Sequence, residues 1–290
     1  MGRQIEDDLR DAVLAGGLHA HFQPIACLRT GGITGFEILC RWRHPKLGEI
    51  EPAFFIPMAE RLDLIPMLGE WVLRRACEEA AGWQQPLKVS VNLSPYQMER
   101  TDIVSLIEEV LSDTGLDPNR LDLEVTENVM IENTDKTIET LRRLKGLGVR
   151  IAVDDFGTGY SSLGYFLHFP FDKVKIDQSF IRAITESREA YAIVKAVVAL
   201  GSGLGMLIIA EGVETEEQAY LLSELGCDKL QGYLIGRPAP IEDYHHLVSD
   251  HRSGSHGCLG KCGACLELLR VPTTAAARYL SPAAKLRDLA

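Results

Sequence analysis

The sequence predicts a modified (β/α)8 barrel of the TIM type, an α/β fold in which one early strand runs antiparallel to the rest. Three observations carry this reading. About eight short β-like runs alternate with longer helical patterns over roughly 240 residues, which is the rhythm and size of such a barrel. Helical stretches stop at Gly115, Gly148, Gly205 and Gly226, where a left-handed C-cap would lead into the next strand. The first two β-like runs flank a short "RTGG" turn with no helix between them, which is a hairpin signal. An open doubly wound sheet is the alternative, but no Gly-rich dinucleotide fingerprint follows the first strand.

In chain order, "MGRQIEDDLRDAVLAGG" reads as a first helix. It is acidic and lacks the apolar core of a signal peptide. Gly2 does not open a myristoylation motif, because Ile5-Glu6 stands where Ser or Thr is wanted. The strand candidates follow as "HAHFQPIA", "ITGFEILCRW", "LKVSVNL", "LDLEVTE", "VRIAVDDF", "KVKID", "LIIAEGV" and "KLQGYLIG". The helical stretches between them include "PAFFIPMAERLDLIPMLGEWVLRRACEEAAGW", "IVSLIEEVLSDTG", "TDKTIETLRRLKGLG", "REAYAIVKAVVALGSGLG" and "TEEQAYLLSELG". Residues 1–247 are read as the barrel. Residues 248–290 open polar and Gly-rich and continue as short helical pieces, and are read as an appended, partly helical tail.

Composition narrows the function. Of 290 residues, 46% are hydrophobic and 24% charged, as in a soluble globular protein with a real core. The formal net charge of -11 argues against binding a DNA or RNA polymer, which relies on Lys and Arg to neutralise phosphates. It does not argue against a small anionic substrate, since a metal can supply local positive charge. No apolar run reaches the roughly 18 residues of a membrane span, and a cytoplasmic location is expected. Seven cysteines, an odd number, fit reduced thiols better than a disulfide framework.

The chemistry-bearing residues lie where the strands end. Glu37 ends "ITGFE", Asn92 ends "VSVN", Glu124 lies in "LDLE", and Asp154 and Asp155 end "IAVDD". Lys175 lies in "VKI", Glu211 ends "LIIAE", and Gln231 lies in "LQGY". Barrel enzymes take their catalytic groups from this end of the strands. Any one of these residues reads plainly as a capped or salt-bridged strand end. As a set they offer carboxylates and amide oxygens, donors suited to hard cations such as Mg²⁺ or Mn²⁺. The adjacent Asp154 and Asp155 repel each other, and a pair of cations would make them tolerable, as in two-metal phosphoryl chemistry.

At these residues the chain resembles the EAL-domain family of cyclic-di-GMP phosphodiesterases. The matching segments are "GFEILCRWRHP", "VNLSPYQM", "LEVTEN", "IAVDDFGTGYSSL", "VKID", "IAEGVET" and "LQGYLIGRP". The resemblance implies a modified barrel with an antiparallel strand and hydrolysis of cyclic-di-GMP to linear pGpG. It implies that Glu37, Asn92, Glu124 and Asp154 hold a first Mg²⁺ or Mn²⁺, and that Asp154, Asp155 and Glu211 hold a second. Lys175 would hold and polarise the attacking water, Glu211 has a further possible role as base, and Gln231 would position the water. Arg41 would meet a substrate phosphate, with Leu39 and Gln23 also in the substrate site. Glu127 and the loop after Asp155 would order the metal site and join a homodimer contact, and Glu214 matches another acidic position near the lysine. Calcium is expected to inhibit, because its looser geometry misplaces the water.

One departure stands out. The name-giving Glu-Ala-Leu is Glu37-Ile38-Leu39 here. Alternate strand residues face opposite sides, so Glu37, Leu39 and Arg41 share one face and Ile38 points into the packing behind; no ligand is lost. A catalytically silent cyclic-di-GMP receptor is the alternative function, and a nucleotide-free scaffold a third. The intact ligand set speaks against the receptor. In the tail, Cys258, Cys262 and Cys265 form a Cys-x3-Cys-x2-Cys cluster near several histidines. Zinc or part of an iron–sulfur cluster suits such donors, but the spacing matches no pair of Cys-x2-Cys hooks, and reduced thiols are the plainer reading.

Overall fold

The computed structural model describes residues 2–127, 134–157 and 169–249. Helix α1 (Gly2–Ala15) leads into β1 (Leu18–Cys27), and a turn returns the chain along β2 (Ile33–His44). There follow β3 (Gly48–Ile50), α2 (Pro52–Arg61), α3 (Ile65–Gly82), β4 (Lys88–Asn92), α4 (Pro95–Arg100) and α5 (Ile103–Thr114). Then come β5 (Leu121–Thr126), α6 (Thr134–Gly146), β6 (Arg150–Phe156), β7 (Lys173–Ile176), α7 (Gln178–Ala183) and α8 (Arg188–Gly203). The described part closes with β8 (Leu207–Ala210), α9 (Glu216–Leu225), β9 (Lys229–Gln231) and α10 (His245–Val248).

The strands close into the expected modified barrel. Their order is β1-β9-β8-β7-β6-β5-β4-β2, and β1 pairs with β2 to complete the ring. Strand β1 is antiparallel to both neighbours, β2 and β9. The other barrel contacts are parallel. The "RTGG" turn makes the reversal: Gly31 N–H donates to the Cys27 carbonyl, and Cys27 N–H donates to that of Gly32. A two-strand hairpin needs no crossover helix, whereas each parallel step does.

Helices cover the outside with their apolar stripes. In α5, Ile103, Val104, Ile107, Val110 and Leu111 are buried, at helical spacing, each contributing about 1.5–3 kcal/mol. Asp102 caps its start by accepting from Ser105 N–H, and Gly115 ends it at φ 68°. Gly226 ends α9 in the same way, at φ 93°.

Two elements depart from the sequence reading. The long stretch from Pro52 to Trp83 is two helices, broken where Asp63 adopts φ 59°; Pro66 in the first turn of α3 marks the new start. Strand β2 runs to His44, two residues past the strand read from the sequence, and is joined by β3, which that reading lacked. Glu37 is therefore the last residue of β2 paired with β4, and not the end of its strand. The remainder of β2 rises above the barrel as a ribbon with β1 and β3.

The lumen is charged in layers. Asp122 and Glu124 sit two apart on β5, Lys173 and Lys175 two apart on β7, so each pair points inward. Lys173 ion-pairs with Asp122 in the lower layer, and Lys175 with Glu124 in the upper one. All four are almost fully buried. The upper layer opens on the side where the parallel strands end. Of the predicted tail, residues 248–290, Val248 and Ser249 are described, and Val248 ends α10 buried against the core; Cys258, Cys262 and Cys265 lie outside the described residues.

Gly232 follows Gln231 at the rim, at φ 155°. The Val213 N–H donates to the Gln231 carbonyl at 3.1 Å, and a Cβ on Gly232 would lie 2.2 Å from the Val213 backbone. Gly232→Ala should lower stability by about 1–3 kcal/mol, seen as a Tm several degrees lower. Gly82→Ala, at a helical position with open space around it, should leave Tm unchanged or raise it.

Candidate functional site

At the upper end of the lumen the Lys175 ammonium meets four carboxylates. Its Nζ lies 2.5 Å from Glu124 Oε2, 2.5 Å from Glu211 Oε1, 3.3 Å from Glu37 Oε2 and 3.3 Å from Asp154 Oδ1. These groups arrive on β2, β5, β6 and β7 and from the residue just after β8. Amides brace the ring. Gln231 Nε2 donates to Glu37 Oε2 at 2.6 Å and to Gln23 Oε1 at 3.1 Å. Asn92 Nδ2 donates to Glu37 Oε1 at 2.7 Å, which leaves its carbonyl oxygen as the atom a cation would use. Gln23 Nε2 donates in turn to the Gly236 carbonyl.

The two aspartates meet through a bulge. Strand alternation would point neighbours to opposite faces. In the β6–β7 ladder, however, Val153 pairs with Val174 and Phe156 with Ile176, so Asp154 and Asp155 together oppose Lys175. Two residues against one is a β-bulge. Asp155 takes up the extra residue at φ 52°, a conformation Asp tolerates better than most side chains. Its N–H donates to Asp154 Oδ1 at 3.0 Å. As a result one oxygen each of Asp154, Asp155 and Glu211 lies within 4.8 Å of the others.

The electrostatics follow from burying four carboxylates around one ammonium. Burial opposes the Lys175 charge, but Asp154, Glu124, Glu211 and Glu37 outweigh it and hold its pKa well above the usual value. For Glu37, burial is likewise outweighed by Lys175 and the Gln231 and Asn92 amides, and its pKa falls. Glu124 lacks that amide support: burial, then the Glu37 charge, push it up to about 8. Burial also drives Glu211 well above its usual range. Asp155 is raised by partial burial and then by Asp154.

The donor set fits divalent cations. Every candidate ligand is an oxygen, and the buried Glu124 Oε1 has no hydrogen-bond partner among the described residues. Glu37, Asn92, Glu124 and Asp154, and then Asp154, Asp155 and Glu211, are the residues that could hold hard metal ions.

A cavity of about 300 Å³ opens onto this ring, lined by Gln23, Glu37, Leu39, Arg41, Asn92, Asp154, Lys175, Glu211, Glu214 and Gln231 among others. Glu124 lies almost fully buried at the ring. Glu214 sits on the cavity wall with Arg182, at 3.9 Å, as its ion partner. Glu127 is buried, and its Oε2 accepts from Gly157 N–H, which ties β5 to the start of the loop after Asp155; the loop itself lies outside the described residues. Ile38 is 2% exposed and packs in the core, as the strand face predicts. Sequence reasoning missed Gln178, Arg182 and Tyr233, which also line the cavity. Asp177 caps α7 directly after β7, and i, i+4 spacing sets Gln178 and Arg182 on one side of that helix. That cap was the available signal.

Comparison with known proteins gives a consistent result. The family model described as the EAL domain matches residues 6–238. An uncharacterized signaling protein of Caulobacter vibrioides is 51% identical over 240 residues, covering 83% of this chain and 30% of that protein. The cyclic di-GMP phosphodiesterase NbdA of Pseudomonas aeruginosa is 41% identical over 254 residues, 86% of this chain and 32% of that protein. The chain thus spans about a third of the length of these relatives. A solved structure described as the PaMucR phosphodiesterase in complex with c-di-GMP superposes with TM-score 0.80 at 42% identity, covering 83% of this chain and 99% of that one.

Glu124 supplies a pH test. It holds its proton more tightly folded than unfolded, so it favours folding below its ordinary value of 4.5 and loses that contribution as pH rises to about 8. In chelator, the urea midpoint should therefore fall across this window. Glu124→Gln should flatten that fall.

Proposed function

The chain belongs to the EAL domain family, and from that premise we propose that it is a metal-dependent phosphodiesterase that opens cyclic-di-GMP to linear pGpG. The observation that carries the reading is the intact oxygen-donor ring around Lys175 beneath a cavity lined by Arg41. Glu37, Asn92, Glu124 and Asp154 would hold one Mg²⁺ or Mn²⁺, and Asp154, Asp155 and Glu211 the other. When bound, such ions lower the pKa of water and neutralise phosphate charge.

The chain's own groups do the rest. Arg41 offers a fork of donors to a substrate phosphate, and Leu39 and Gln23 flank the dinucleotide. The Lys175 ammonium donates to the attacking water and stabilises negative charge developing on phosphorus. Gln231, fixed by its bond to Glu37, orients that water. The water oxygen forms a bond to phosphorus as the bond to the 3′-oxygen breaks. Glu211 takes the water's proton, and the departing 3′-oxygen takes a proton from solvent and leaves as a hydroxyl. No covalent enzyme intermediate is required.

The same reading includes inhibition by Ca²⁺, a homodimer formed through the loop after Asp155, and action in the cytoplasm on a small nucleotide rather than a DNA or RNA polymer. Among the described residues no helix is long and apolar enough to cross a membrane.

Purified protein with cyclic-di-GMP and Mn²⁺ should yield pGpG on chromatography. Chelator should abolish the product, and Glu37→Ala should lower turnover by at least about 100-fold, the scale of losing a group that acts in the transition state. Tight binding of the dinucleotide with no turnover would replace the hydrolase with a silent receptor.

A further inference from the structure

A second cavity lies beside the first and shares only Arg41 with it. Its volume is about 860 Å³, within the range of small-molecule sites. One wall is the part of the β1–β2–β3 ribbon that rises above the barrel. Alternation along the strands places His19 and His21 on the face of Gln23, and Arg41 and Arg43 on the face of Glu37. The antiparallel register sets His19 opposite Arg41 and Arg43 opposite Glu49.

This wall concentrates basic groups. Two basic side chains facing each other across a ladder are unfavourable unless an anion joins them. Glu49 leaves its cross-strand neighbour Arg43 and lies 3.6 Å from Arg41 instead. Arg43 is exposed, and its side chain has no hydrogen bond or ion pair among the described residues. Burial, then the neighbouring Arg41 charge, lower the His21 pKa, the sign expected in a positive field. The remaining walls differ in character. Trp71 comes from α3, and Pro240 and Ile241 from the segment beside β1, a pairing of aromatic and apolar surface that suits a flat base. Glu242, on the same side, can accept from ring and exocyclic N–H groups of a guanine.

We propose that this cavity is a second ligand site that takes a guanine nucleotide by its terminal phosphate monoester, with Arg43 on the phosphate and the Trp71 wall against the base. Two sources carry that chemistry: a free mononucleotide, and the linear product, whose new end is a 5′-phosphate. The second source rests on the hydrolase reading; the site itself does not.

The test is equilibrium binding of GMP and of pGpG to the full chain in chelator, with and without saturating cyclic-di-GMP. GMP should bind whether or not the cyclic dinucleotide is present. Arg43→Glu, an exposed change outside the catalytic ring, should weaken GMP at least about tenfold, the scale of a lost charge-assisted contact, and leave cyclic-di-GMP affinity within about twofold. A parallel loss for pGpG makes the product a ligand of this site; a loss for GMP alone assigns the site to the free mononucleotide. Absence of GMP binding, displacement of GMP by the cyclic dinucleotide, or equal GMP affinity in Arg43→Glu would overturn the proposal. Turnover plays no part in this measurement, so failure here and failure of the hydrolase reading are separable.

Discussion

The Lys175 ammonium has three N–H donors and four carboxylates within 3.3 Å. A buried carboxylate is tolerated only when paired and hydrogen-bonded, and here four share one cation. The arrangement of the upper lumen follows from that shortage. Glu37 takes two amide donors and stays easily ionised. Glu124 and Glu211 do not share those amides, and their pKa values rise. The ring accepts positive charge readily, as a proton or as a metal ion. A layer lower, Lys173 and Asp122 form a simpler buried pair with no comparable excess of carboxylates.

Backbone topology delivers the members of this ring. Running β1 antiparallel to β2 lets Gln23 stand opposite Glu37 in register, and the β1–β9 pairing brings Gln231 alongside. A regular (β/α)8 barrel would separate the first two strands by a helix. The long hairpin instead raises a ribbon above the rim, and that ribbon carries Arg41 into the main cavity and Arg43 into the neighbouring one. One irregularity in the ladder, the bulge at Asp154 and Asp155, turns a local repulsion into a shared ligand edge.

Much of this was legible in the chain. Alternating β and helical patterns gave the barrel, "RTGG" gave the reversed strand, and apolar runs ending in acid or amide marked ring members. The inward step from Asp122 to Glu124 and from Lys173 to Lys175 is visible as period-two spacing. Other features depend on tertiary contacts that periodicity does not encode. Nothing local says that β2, legible as a strand to Trp42, gains β3 as a partner. The bulge requires knowing which residue of β7 faces Asp154. Arg182 and Tyr233 reach the cavity because α7 and the chain after β9 fold over its rim, which no single segment announces.

The most direct test is a urea melt of Lys175→Met at neutral pH in chelator. Taking away the one cation leaves four buried carboxylates facing each other, and stability should fall by about 3–5 kcal/mol, the usual effect of breaking a buried pair by removing one partner. Adding Glu37→Gln to the same chain should restore a large part of that loss, because Glu37 is the ring carboxylate that stays ionised at neutral pH, and its repelling charge is then gone. If Lys175→Met is as stable as the wild type, or if the second change restores nothing, the carboxylate ring is not held together by Lys175.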